Sequence, residues 1–70
     1  MNYNINVIWD EDAQVWCAIC DDIPLALEDL SFDALIRRVK TVAHEILKLN
    51  GKLTKDTHLC FQATHNERIA

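Results

Sequence analysis

The chain has seventy residues, half of them hydrophobic, and a formal net charge of −4 from eleven Asp and Glu against seven Lys and Arg. A length of this order supports one domain with a small core, and the acidic balance argues against phosphate-driven binding of nucleic acid. One Gly and one Pro leave no room for a flexible linker or a low-complexity tail.

The N-terminus, Met1-Asn2-Tyr3-Asn4, lacks the basic start and apolar run of a signal peptide, and no apolar stretch approaches a membrane span. A cytoplasmic, membrane-free protein is therefore expected. Tyr3 to Trp9 alternates with a period of two, Tyr3, Ile5, Val7 and Trp9 against Asn4, Asn6 and Ile8, which predicts a strand with one buried face. Asp10-Glu11-Asp12-Ala13 is short and polar, as a hairpin loop requires. Gln14 to Cys20 carries apolar residues on both faces and predicts a second, more central strand. With a four-residue loop, Trp16, Ala18 and Cys20 share the face of Ile5 and Val7; a three-residue loop reverses the set.

Asp21-Asp22-Ile23-Pro24 is a break, because proline lacks a donor and biases the preceding residue away from helix. Leu25 to Glu28 can form a short edge strand, which the aspartates and Pro24 would guard against stray pairing. Ser31 is a suitable N-cap, and Asp33 sits in the first turn, where the helix dipole favours an anion. Phe32, Leu35, Ile36, Val39, Val42, Ala43, Ile46 and Leu49 then recur at spacings of three and four, the stripe of an amphipathic helix. Lys48 occupies the last turn and Gly51 the left-handed position beyond the cap. Thr57 to Thr64 predicts a final strand, and Asn66 to Ala70 a frayed end. The order is β-β-β-α-β within a single domain over residues 1–70, an α+β fold with a four-stranded sheet and one helix on one face. If the last strand lies beside the first, it runs parallel to it.

Several of these segments resemble the HicB family of bacterial antitoxins and, more closely, a small HicB-like branch. The stretches that match are Val7-Ile8-Trp9-Asp10-Glu11-Asp12, Val15-Trp16, Asp21-Asp22-Ile23-Pro24 and Ser31-Phe32-Asp33-Ala34-Leu35, running into Leu47-Lys48-Leu49-Asn50-Gly51. The resemblance implies a partial ribonuclease-H-like fold without nuclease activity. It also implies a small basic toxin, HicA-like, that binds double-stranded RNA and cleaves messenger RNA. Leu25 follows Pro24 where that family often has glycine. The DNA-binding module common in the family has no counterpart before Ala70, so operator binding is not expected.

Catalytic chemistry finds little support. Two-metal hydrolysis by a ribonuclease-H-like site needs carboxylates converging from strand centres and the helix, whereas Asp10 lies at a strand end and Glu45 on the polar side of the helix. Cys17 and Cys20 have the spacing of a zinc knuckle, with His44, His58, His65 and Cys60 also available. A knuckle needs a turn, however, and a strand sends residues three apart to opposite faces. The odd number of cysteines fits reduced thiols. Ser31 has no glycine elbow to make it a nucleophile, and Arg37, Arg38 and Lys40 form a short solvated helix surface. No enzyme, metal or cofactor is expected.

The expected function is protein binding. One helix covers one side of a sheet, and a chain this short commonly gains stability from a partner, so a homo-oligomer (dimer or tetramer) or a small basic toxin is the expected companion. Ile8, Trp16 and Ala18 are the candidate apolar contacts, tryptophan being frequent among interface anchors. Asp10, Asp12, Asp21 and Asp22 are candidates for meeting a basic partner.

Overall fold

The computed structural model describes residues 1–65 and residue 69. Asn66, Glu67, Arg68 and Ala70, part of the segment expected to fray, lie outside the described residues. Three strands, β1 (Asn2–Asp10), β2 (Val15–Cys20) and β3 (Leu25–Asp29), precede one helix, α1 (Phe32–Leu49), and a last strand, β4 (His58–Thr64). The sheet order is β3-β2-β1-β4. β1 pairs antiparallel with β2 and parallel with β4, and β2 pairs antiparallel with β3. The expected β-β-β-α-β order is present, and β4 does lie beside β1, where it runs parallel to it as that placement requires.

β1 lies between β2 and β4 and hides one face through clean alternation. Tyr3, Ile5 and Val7 are buried while Asn2, Asn4 and Asn6 are exposed, so the asparagines face water and the β-branched and aromatic side chains face the helix. Ala18 and Cys20 from β2, Ile23 from the turn and Leu25 from β3 complete the sheet side of the core. The helix contributes Leu35, Val39, Ala43 and Leu47. The fully buried row runs at every fourth residue and ends on Leu47, with Phe32, Ile36, Val42 and Ile46 of the expected stripe partly buried against the core beside it; Leu49, assigned to the stripe from sequence, is exposed.

Both helix ends are closed by local chemistry. Ser31 is extended (φ −102°, ψ 126°), and its hydroxyl accepts from the Ala34 amide at 3.2 Å, satisfying one of the donors a helix start leaves unpaired. At the far end Gly51 takes φ 67°. Its amide donates to the Lys48 carbonyl at 3.2 Å and the Lys52 amide donates to Leu47 at 2.9 Å, the pair of bonds that defines a Schellman ending.

The first hairpin decides which residues the sheet hides. Asp10 pairs with Val15 and Trp9 with Trp16. The loop has four residues as one alternative had it, but spans Glu11 to Gln14 rather than Asp10 to Ala13. Gln14 adopts φ 59°, and Asp10 Oδ1 accepts from the amides of Asp12 (3.1 Å) and Ala13 (3.2 Å). That side chain supplies the local acceptor which lets the chain reverse. Trp16, Ala18 and Cys20 consequently face α1 with Ile5 and Val7. Among the described residues, no helix is long and apolar enough to cross a membrane.

Candidate docking face

The side of the sheet turned away from α1 carries the other half of each strand. Ile8 lies between Cys17 and Thr64, and Cys17 lies next to Glu28; Asn6 lies between Ile19 and Gln62, and Ile19 lies next to Ala26. Ile8 and Ile19 are 47% and 44% exposed. With half-buried Cys17 and Val15 they form an oblique apolar strip, bordered by exposed Ala26, Asn6, Gln62 and Thr64. Asp10, opposite Val15, and Glu28, opposite Cys17, bring carboxylates to its margin.

These groups interact across the strip. Burial pushes the Cys17 thiol up from its ordinary pKa, and the charges of Glu28 and then Asp10 push it further the same way. A thiol so placed stays protonated at neutral pH and behaves as a small apolar side chain rather than a nucleophile. The three cysteines are free thiols. Cys17 faces outward and Cys20 inward, as a continuous strand demands. Among the described residues no three of His, Cys, Asp and Glu come together in a way that could hold a metal ion.

Of the residues singled out from sequence, Ile8 is on the open face. Trp16 and Ala18 are not, which corrects their assignment to an uncovered surface: Ala18 is fully buried. Trp16 packs edge-on against Trp9 (centroids 5.2 Å, 62°) and Phe32 (5.1 Å, 78°), and its ring also meets His65 at 5.8 Å. Its area is thus used within the domain, where such edge-to-face pairs stabilise the end of the core beside the helix start. Trp9 shares that cluster, and its indole N–H donates to Glu11 Oε2 at 2.6 Å.

The acids divide. Asp10 and exposed Asp12 sit at the β1–β2 hairpin, whereas exposed Asp21 and Asp22 sit in the β2–β3 turn at the opposite end of β2, a strand length of roughly 20 Å away. They do not make one acidic edge. The carboxylate that borders the apolar strip with Asp10 is Glu28, which sequence reasoning passed over, as it passed over Cys17 and Ile19. Loop length was the available signal, because it sets which half of β2 is outward. Arg38, read as part of a solvated surface, donates to the Glu28 carbonyl at 2.7 Å and to Asp29 Oδ2 at 3.2 Å.

A second apolar feature lies between α1 and β4. The helix lies over β2 and β3, leaving beside β4 a groove of about 520 Å³. Leu53, Leu59, Phe61 and Ile36 line it together with Lys40, His44 and His58.

A solved structure, the hypothetical protein TTHA1013 from the extremely thermophilic bacterium Thermus thermophilus, has the same fold. It matches with a TM-score of 0.80 and 30% sequence identity, over 99% of this chain and 100% of that one. No curated protein matches. A family model described as a domain of unknown function, DUF1902, matches residues 2–70. Nearly the whole chain is thus accounted for by one family and one fold, and the protein belongs to the DUF1902 family.

Proposed function

We propose that this domain acts by binding another protein rather than by catalysis, with the open face of the sheet as its docking surface and a basic protein as its partner. The observation that carries this is the strip of Ile8, Cys17 and Ile19, uncovered by α1 and flanked by Asp10 and Glu28. An apolar centre with a charged margin is the anatomy of a protein interface; the acidic margin selects for a basic partner and steers its approach. The resemblance of the sequence to HicB antitoxins supports one version of this, in which the partner is a small basic RNA-cleaving toxin held inactive by the contact.

The test is affinity capture of the tagged chain from its host lysate, run beside Ile19→Lys and Glu28→Lys. A small basic protein recovered in equal amount with the unaltered chain, and lost with both variants that still fold, supports the proposal. Recovery of the same proteins by all three forms excludes the open face. Recovery of copies of the chain alone excludes the basic partner.

A further inference from the structure

The two edges of the sheet differ in a way that points to a second copy of the chain. At β4, the His58 amide donates to the Met1 carbonyl at 3.0 Å. In a parallel ladder the N–H and C=O of one residue point the same way and alternate along the strand. Cys60, Gln62 and Thr64 therefore also turn their backbone groups towards β1, while Leu59, Phe61 and Ala63 turn theirs outward, where no described residue bonds to them. The strand His58–Thr64 contains no proline, lysine or carboxylate, the devices that ordinarily blunt an edge. β3 shows the contrast. It is short and preceded by Pro24, and the carbonyl of Glu28 is taken by Arg38.

We propose that β4 pairs antiparallel with β4 of a second copy, about a two-fold axis through Phe61, so that one sheet runs through both molecules. This register alone overlaps the whole strand. It sets Phe61 opposite Phe61 and Leu59 opposite Ala63, each pair exchanging both of its N–H···O bonds. His58 meets Thr64 rather than another histidine, so no charge faces its like. The same pairing brings the two α1–β4 grooves together, with the half-buried Leu59 and Phe61 of each copy against those of the other. Self-pairing of one strand is the isologous contact that closes at two subunits, and a small domain gains from it the apolar burial its own core lacks. The open face is left free, so this inference stands apart from the proposed docking function.

Sedimentation equilibrium of the full chain tests it, together with two variants. The wild type is expected to be a dimer. Ala63→Pro removes an outward N–H but no bond to β1, a placement an edge strand tolerates, and should weaken the dimer roughly tenfold or more. Gln62→Cys places a thiol opposite the exposed Cys60 of the other copy, in a non-hydrogen-bonded pair whose Cα separation suits a disulfide. On mild oxidation it should yield covalent dimers on a non-reducing gel that Gln62→Ser does not. A monomeric wild type would overturn the inference. So would a dimer that Ala63→Pro leaves intact and Gln62→Cys fails to crosslink. If Ala63→Pro does not fold, the crosslink decides alone.

Discussion

Asp29 links three parts of the fold through one carboxylate. Oδ1 accepts from the Ser31 amide at 2.9 Å, ahead of the helix cap, and Oδ2 pairs with Arg38 at 3.2 Å. The Ser31 amide is the largest cause holding its pKa below the usual carboxylate value; partial desolvation works against it, and Arg38 adds to the lowering. A carboxylate whose pKa is depressed by folding contributes stability that is present above the unfolded pKa, about 3.9, and is lost as pH falls through the folded one. Asp29→Asn should therefore melt below the wild type at about pH 7, and the gap should narrow as the pH falls below about 4. A gap that stays constant across thermal scans in that range would show that the charge contributes nothing. Ser31 and Gly51 were legible as caps because a cap acts on residues within four positions of itself. The ties of Arg38 to Glu28 and Asp29 were not, because they depend on where a helix side chain meets a strand edge.

For the helix, its existence and both ends were legible, and its buried face only in part. Leu35, Val39, Ala43 and Leu47 form the buried row, and Leu49 lies two residues on, roughly 200° round the axis from Leu47. Both leucines continue an apolar pattern of threes and fours, so spacing alone admits either. Packing separates them: Leu47 is 2% exposed and Leu49 83%. Leu47→Ala should cost about 2–5 kcal/mol by loss of transfer energy and creation of a cavity, and Leu49→Ala should stay within about 0.5 kcal/mol. Urea denaturation would measure both, and equal losses would contradict the orientation of α1. The sheet shows the same limit. Alternation marked β1 and the apolar character of β2, but the outward half of β2 rests on the parity of one loop. That loop begins at Glu11 and ends on Gln14 in a left-handed conformation, which no sequence preference there announces. Trp16 and Ala18 were misplaced for that reason alone.

Across the whole molecule, a two-layer fold with one helix leaves a sheet face and two sheet edges to be managed, and the three are treated differently. The face carries the Ile8–Cys17–Ile19 strip, with Asn6 beside Ile19 and Asn2 and Asn4 beyond it along β1. Composition showed an acidic excess but could not show that folding sends Asp10 and Asp12 to one end and Asp21 and Asp22 to the other. Of the edges, β4 has no strand on its outer side among the described residues, and β3 is guarded. In the antiparallel ladder with β2, Leu25, Leu27 and Asp29 turn their backbone groups inward, leaving Ala26 and Glu28 to point outward. Arg38 satisfies the Glu28 carbonyl from the helix, a cover that denies the edge to a passing strand. Arg38→Ala removes that cover, a net loss on the order of 1 kcal/mol for a hydrogen bond, and also strips Asp29 of its ion-pair partner. If β4 is already occupied by a second copy, β3 becomes the remaining free edge, and pairing there would extend the assembly rather than close it. Sedimentation velocity of Arg38→Ala should accordingly show species larger than the dimer, in proportion to concentration, where the wild type shows none. A variant that sediments as the wild type does would mean that Pro24 and the shortness of β3 guard the edge without Arg38.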